Sequence, residues 1–309
     1  MASFLRSSAA WLSSFSRMSR WSSSITSQSK HLYNFAQPAR AASSSVPGHR
    51  YGGKVTIVTG GSKGIGEGIV RVFAEEGSNV VFCARGVDVG KKLETELNDK
   101  WPGRTMFVTC DMTKESDIES MVQTTVNKFG RLDCLVNNAG WHPPATAVDD
   151  MSVDDFRYLL NFNLVSYFIA SKAALPHLRK TQGNIINLSS LVGIIGQEGS
   201  ASYVATKGGI TSMSKGMAID EAKHNVRVNV ISPGNVWTPL WNEFAQSAPD
   251  PQEFIKGGED AQLLGRMGTI EESGKLCLFI AADATFMTGI DFVMSGGAEL
   301  NYGRKTQMD

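Results

Sequence analysis

The stretch Lys54–Gly66 limits this chain more than any other. It reads KVTIVT and then GGSKGIG, a β-branched strand running into spaced glycines, with a helix-forming segment following through Glu76. A helix that starts straight out of such a loop has free N–H groups at its first turn. Those groups and the helix dipole together stabilise a negative charge placed there. In this strand–loop–helix context, T-G-x-x-x-G-x-G implies the pyrophosphate of a dinucleotide. Gly60 permits the tight turn, Gly64 lets the backbone approach the phosphates, and Gly66 allows close helix–strand packing. Lys63 and Ile65 complete the loop's set of cofactor residues.

The same rhythm then repeats. Strands are expected at Lys54–Thr59, Asn79–Cys83, Thr105–Cys110, Leu132–Val136, Asn184–Leu188, Val226–Ile231 and around Asp291–Val293. Helices are expected at Gly64–Glu76, Asp88–Lys100, Glu115–Phe129, Ser202–Lys223 and Ile270–Ala281, with a long one over Ser152–Leu175 broken at Pro176. Near-continuously apolar strands separated by helices are buried on both faces. The fold class is therefore α/β, a single-domain Rossmann-type doubly wound fold with a seven-stranded parallel sheet and right-handed crossovers. Only Pro233–Gly268 interrupts the alternation.

Residues 1–45 stand apart. They carry 15 serines, the bases Arg6, Arg17, Arg20, Lys30 and Arg40, and no acid; the first acidic residue is Glu67. Phe4, Leu5, Trp11, Leu12, Phe15 and Met18 recur at roughly helical spacing. A basic, serine-rich, acid-free amphipathic segment is the pattern of an organelle transit peptide, and Arg40 before Ala41-Ala42-Ser43 suits processing nearby. A disordered tail has the same composition. The reading adopted is a mitochondrial leader over residues 1–45 and one domain over 46–309, with the cytosol as the alternative compartment.

Net charge is zero over the whole chain, which gives no nucleic-acid footprint. No window approaches the ~20 apolar residues of a membrane span. Cys83, Cys110, Cys134 and Cys277 form no C-x-x-C and have no metal-like spacing with histidine, so all four read as reduced and structural, and no metal site is expected.

Tyr203 and Lys207 lie four residues apart on one expected helix and share a face. A free tyrosine titrates near ~10, and an adjacent ammonium favours its phenolate. Lys207 is expected to act in this way while its other donors hold a nicotinamide ribose. Ser190 is placed to hydrogen-bond a substrate oxygen as charge develops on it. Asn163 is placed to hold a water linking Lys207 to solvent. Asp111 suits an adenine amino group, and Asn137–Gly140 offers small residues for close cofactor approach and side chains that tie strand ends together. Gly234-Asn235-Val236 can present backbone groups to a carboxamide, and Thr238 can bond it or a phosphate. At the second strand's end Cys83-Ala84-Arg85 holds no acid to bond a ribose 2′-hydroxyl. Arg85 and Lys63 are both suited to a 2′-phosphate, so these residues favour NADP.

T-G-x-x-x-G-I-G, N-N-A-G, Asn163, Ser190 and Y-x-x-x-K together resemble the short-chain dehydrogenase/reductase family over essentially all of residues 50–300. The stretches NNAGWHPP (137–144), QGNIINLSSLVG (182–193), SPGNVWTPLW (232–241) and SGGAELNYG (295–303) are similar to members that act on 17β-hydroxysteroids and L-fucose. The resemblance implies a nicotinamide-dependent oxidoreductase interconverting a secondary alcohol and a carbonyl, or a sugar hemiacetal and a lactone. It implies catalytic roles for Ser190, Tyr203 and Lys207, with Asn163 completing a tetrad. It also implies a homotetramer in which the Tyr302 region closes a neighbouring subunit's site. By resemblance the cofactor is NAD, bound through an acid where this chain has Ala84; the similar members are cytosolic and lack a leader.

On the substrate side, Trp141 and His142 follow Gly140, and Trp237, Leu240, Trp241 and Phe244 recur at helical spacing. His142, Trp141, Trp237 and Trp241 are the candidate substrate contacts. Aromatic faces suit a steroid and equally the C–H face of a sugar; the tryptophans also fit a small helix packed on the body. Two other functions use related residues. An organellar 3-oxoacyl-carrier-protein reductase would run the same tetrad in reverse. A nonenzymatic nucleotide sensor would usually lack the tyrosine or lysine that this chain keeps.

Overall fold

The computed structural model describes residues 49–300, so the expected leader and the Tyr302 region lie outside it. The elements run β1 (Val55–Thr59), α1 (Gly64–Glu75), β2 (Asn79–Ala84), α2 (Val87–Lys100), β3 (Thr105–Thr109), α3 (Glu115–Phe129) and β4 (Cys134–Asn137). They continue through α4 (Val153–Leu160), α5 (Ser166–Thr181), β5 (Asn184–Leu188), α6 (Val192–Ile195), α7 (Ala201–Glu221) and β6 (Arg227–Pro233). The last are α8 (Pro239–Ser247), α9 (Pro251–Asp260), α10 (Ile270–Ala282) and β7 (Asp291–Met294). All pairings are parallel, in the order β3-β2-β1-β4-β5-β6-β7. This is the expected doubly wound sheet.

Alternating strand residues feed two cores. Val58, Phe82 and Val136 face α1, α2 and α10, where Ile69, Phe73, Leu97 and Leu278 meet them. Ile57, Val81 and Leu135 face α3, α5 and α7 through Ile118, Met121, Ala170, Leu178 and Ala218. Because both faces are covered, the strands are apolar throughout. The order reverses between β1 and β4, and that reversal opens a crevice at their carboxyl ends.

One expectation is corrected. The long helix does not break at Pro176: α5 carries that proline inside it and runs on to Thr181. The cost is one backbone hydrogen bond, to the carbonyl of exposed Lys172, while buried Ala170, Ala174 and Leu178 hold the helix on both sides. The interruption lies upstream, where Asn161–Val165 winds as a π turn between α4 and α5 and buries Phe162 and Asn163 side by side. Pro233–Gly268 interrupts the alternation as expected and holds two helices. It forms α8 and α9, each started by proline behind a side-chain cap, Thr238 for the first and Asp250 for the second.

Candidate active site

The nucleotide side of the crevice is built by exclusion. Gly60 adopts φ +64, and a Cβ on it would meet the Ala139 Cα at 2.9 Å. A Cβ on Gly66 would run into the carbonyl oxygen of Gly60. Only glycine lets α1 start this close to β1. Lys63 caps α1 without any side-chain hydrogen bond, so the first-turn N–H groups face the crevice as an anion site. Asn138 Nδ2 donates to Thr59 O at 2.9 Å, and Thr59 Oγ1 accepts from the N–H groups of Asn138 (2.9 Å) and Ala139 (3.0 Å). Asn137 Nδ2 donates to Asn187 Oδ1 at 2.9 Å. The N-N-A-G turn therefore ties β4 to β1 on one side and to β5 on the other, as expected.

Asp111 accepts from Thr113 N and Oγ1 through one carboxylate oxygen, at 3.0 and 2.8 Å. These bonds hold its pKa below the usual carboxylate range, and the neighbouring Arg85 charge adds to them. Its other oxygen remains for an adenine amino group. Arg85 is exposed at the end of β2, with its guanidinium carbon 5.9 Å from the Phe162 ring. Thr238 lies beside the loop, its Cγ2 3.5 Å from where a Gly64 Cβ would stand. Of the backbone groups of Gly234-Asn235-Val236 foreseen for a carboxamide, two N–H groups are engaged: Gly234 N donates to Met294 O and Asn235 N to Gln262 Oε1. Val236 is bridged to Gly268 through Asn235 O and Trp237 N, so that bridge leaves its own N–H and C=O unengaged. These residues fit a dinucleotide along the crevice, with its phosphates at α1.

Tyr203 and Lys207 share the face of α7 that looks onto the end of β5. Lys207 is only 4% exposed; its Nζ donates to Leu188 O at 2.8 Å and lies 5.5 Å from the Tyr203 ring centre. The pair Ser189-Ser190 divides its work. Ser189 Oγ is buried and donates to Lys207 O, whereas the Ser190 hydroxyl hydrogen-bonds Tyr203. Gly140 packs between Asn163 and Lys207: a Cβ there would stand 3.6 Å from both Asn163 Oδ1 and Lys207 Nζ.

The surroundings of Lys207, Tyr203 and Asn163 are specific. Burial pulls Lys207 down to about 7, and burial pushes Tyr203 up to about 12 against the Ser190 hydrogen bond. In the protein alone, burial therefore works against both the Lys207 ammonium and the Tyr203 phenolate. The side chain of Asn163 is spent on structure. Its Oδ1 accepts from Trp141 N and its Nδ2 donates to Trp141 O, both at 2.9 Å, with Thr206 Oγ1 at 3.3 Å. It positions the loop after β4.

That loop carries His142 over the tyrosine, with ring centres 4.2 Å apart. His142 Nδ1 lies 2.6 Å from Pro143 O, which makes it the protonated nitrogen, and Nε2 lies 3.4 Å from the Gln197 side chain. Phe244 approaches the same imidazole edge-on at 6.3 Å. Trp141 and Trp237 are 43% and 42% exposed at the mouth. Trp241 is placed elsewhere: its ring packs on Phe254 at 5.4 Å and against Gly258, between α8 and α9. Gln197 was not legible from spacing, because it belongs to no motif; proximity in the fold alone marks it.

A family profile described as enoyl-(acyl carrier protein) reductase matches residues 60–299. L-fucose dehydrogenase of Bos taurus is 54% identical over 258 residues, covering 84% of this chain and 94% of that protein. A 3-oxoacyl-[acyl-carrier-protein] reductase of Chlamydia muridarum is 34% identical over 246 residues, 79% of this chain and 96% of that one. Among solved structures, L-sorbose reductase from Gluconobacter frateurii, complexed with NADPH and L-sorbose, superposes with a TM-score of 0.77 at 27% identity, covering 80% of this chain and 97% of that one.

Proposed function

As the chain belongs to the short-chain dehydrogenase/reductase family and is a nicotinamide-dependent oxidoreductase, we propose that it oxidises a small sugar, L-fucose, at its anomeric hydroxyl, with NADP as the preferred cofactor. The observation that carries the chemistry is the convergence of Ser190, Tyr203 and Lys207, under His142, at the carboxyl ends of β4 and β5. Bound oxidised nicotinamide supplies the hydride acceptor and a positive charge. Tyr203 takes the hydroxyl proton, and Ser190 holds the substrate oxygen while its charge changes. Lys207, neutral or charged near pH 7, passes the proton on and bonds the ribose. Asn163 fixes Trp141 and thereby the His142 ring above Tyr203.

L-fucose is supported by the Bos taurus relative and by a mouth whose polar groups, His142 Nε2 and Gln197, suit hydroxyls. NADP is supported by Ala84 and exposed Arg85, where an acid would repel a 2′-phosphate. The test follows reduced-nicotinamide absorbance as the purified protein meets L-fucose with NAD or NADP, beside a 17β-hydroxysteroid. Turnover of fucose, faster with NADP, is expected. Signal with the steroid alone would replace the sugar by a steroid. Silence with both, together with binding to an acidic carrier protein, would favour the acyl-carrier reductase.

Residues 1–45 are assigned as a mitochondrial leader on composition, and a fluorescent fusion of them that stays in the cytosol would overturn this. A homotetramer is assigned by resemblance to the family, and exposed Phe168 on α5 and Ile219 on α7 offer apolar surface to a like subunit. A monomeric mass in solution would contradict it.

A further inference from the structure

Under the nucleotide end of the sheet three sulfur atoms converge that the oxidoreductase site does not use. Cys83 lies in β2 one residue before Ala84; Cys110 follows β3 directly before Asp111, and Met112 comes next. The N–H of Cys110 donates to Ala84 O at 3.2 Å and keeps the two strand ends together. Cys83 Sγ stands 4.0 Å from Met112 Sδ, and Cys110 Sγ stands 3.7 Å from the same thioether. The neighbouring Cys83 thiol and burial both push the Cys110 thiol up. Cys83, Cys110 and Met112 are 0%, 1% and 4% exposed, within the apolar cluster of Ile118, Met121 and Ala139.

This spacing has a chemical meaning. A cation about 2.3 Å from each of three sulfurs in one plane sets those sulfurs about 4.0 Å apart. The two thiol–thioether separations, 3.7 and 4.0 Å, match two of the three edges of that triangle. Two thiols and a thioether are soft donors, which select copper(I) over hard cations. Zinc would require a fourth ligand in a tetrahedron. No trio drawn from His, Cys, Asp and Glu is arranged for a metal among the described residues, so the third donor here has to be the thioether. The other buried thiols are arranged differently: Cys134 Sγ donates to Asn184 Oδ1 at 3.4 Å.

We propose that Cys83, Cys110 and Met112 form a three-sulfur binding site for copper(I). Binding releases the two thiol protons and leaves the ion trigonal among the sulfurs. The ion clamps together the ends of β2 and β3, the strand ends that carry Arg85 and Asp111.

The test titrates the reduced, full-length protein with copper(I) under anaerobic conditions against a coloured copper(I) chelator. One tightly held equivalent is expected, with thiolate-to-copper absorption in the near ultraviolet. Cys83→Ser should weaken it by at least ~10²-fold, more than the 10–100-fold that second-shell changes produce. Met112→Leu conserves volume and should fold normally, yet weaken binding by about tenfold or more. The double variant Cys134→Ser/Cys277→Ser should bind as the parent does. Absence of tight binding to the folded parent overturns the site. So does affinity unchanged by Met112→Leu, or loss of the equivalent only when Cys134 and Cys277 are removed.

Discussion

The loop after β1 and the cover after β6 both face the crevice, but they are held there by different forces. In the loop, position is set by backbone and by the absence of side chains: Gly61 N bonds Cys83 O at 3.0 Å, Asn138 grips Thr59 and Gly60, and a Cβ on Gly66 has no room. In the cover, α8 and α9 are tied down by side chains, chiefly Asn235 Nδ2 to Gly258 O (2.8 Å), Gln262 to Asn235, and Trp241 on Phe254. Trp237 and Leu264 remain exposed there. A frame fixed by backbone suits a cofactor of constant shape. A cover fixed by side chains can be re-specified for a new substrate without disturbing the sheet.

Variants can break or sharpen this contrast. The largest effect is expected at the chemical centre between the two regions. Tyr203→Phe should lower kcat by ~10²–10⁴-fold while cofactor affinity stays near that of the parent, as read by steady-state rates and nucleotide titration. Full turnover in that variant would remove Tyr203 from the mechanism.

Next comes a pair of glycines. Gly66→Ala should weaken nucleotide binding by roughly 10–100-fold, because overpacking costs about 1–3 kcal/mol where the backbone cannot yield. Gly257→Ala lies in α9 with nothing near its added Cβ, and should leave binding intact while stabilising the helix by about 0.5–1 kcal/mol. Equal effects at the two sites, by calorimetric titration and melting, would erase the contrast.

A smaller effect concerns the buried lysine. The folded pKa of Lys207, about 7, lies below its ordinary 10.5, so the unfolded chain binds the extra proton between those values. Stability should therefore rise with pH across that window. Tyr203 acts oppositely only above 10.0, up to about 12. Lys207→Met should raise Tm at pH 6 by a few degrees, corresponding to about 1–4 kcal/mol, with the gap narrowing towards pH 10. Thermal melts across pH decide it; a gap that widens with pH would contradict the assigned shift. Smallest of all, Trp237→Ala should raise the KM for the sugar a few-fold, about 1 kcal/mol, and leave Tm unchanged. A fall in Tm would place the ring in packing, as for Trp241.

The same contrast explains what was legible in the chain. Backbone-determined features announce themselves through residue types that nothing else replaces, so Gly60, Gly64 and Gly66, the N-N-A-G turn and the strand alternation were all readable. Tyr203 and Lys207 were readable because helical spacing is fixed. The proline break at Pro176 misled, since the neighbouring buried residues outweigh one lost bond. The π turn at Asn163 has no composition of its own. Trp237 and Trp241 look alike in sequence, but Trp237 lies in the loop before α8 while Trp241 is carried on α8 against Phe254. The sulfur cluster escaped because its third donor is a methionine, Met112, two residues after Cys110, a type that spacing rules for metal sites ignore.

Hydrogen exchange on the free protein and on the protein with NADP and L-fucose tests the central contrast most directly. Amides of residues 57–70 should exchange slowly in both states, while those of 239–262 should exchange faster in the free protein and slow markedly when both ligands are added. Equally slow exchange in both regions without ligand, or protection gained only in the glycine loop, would contradict a fixed frame beneath an adjustable cover.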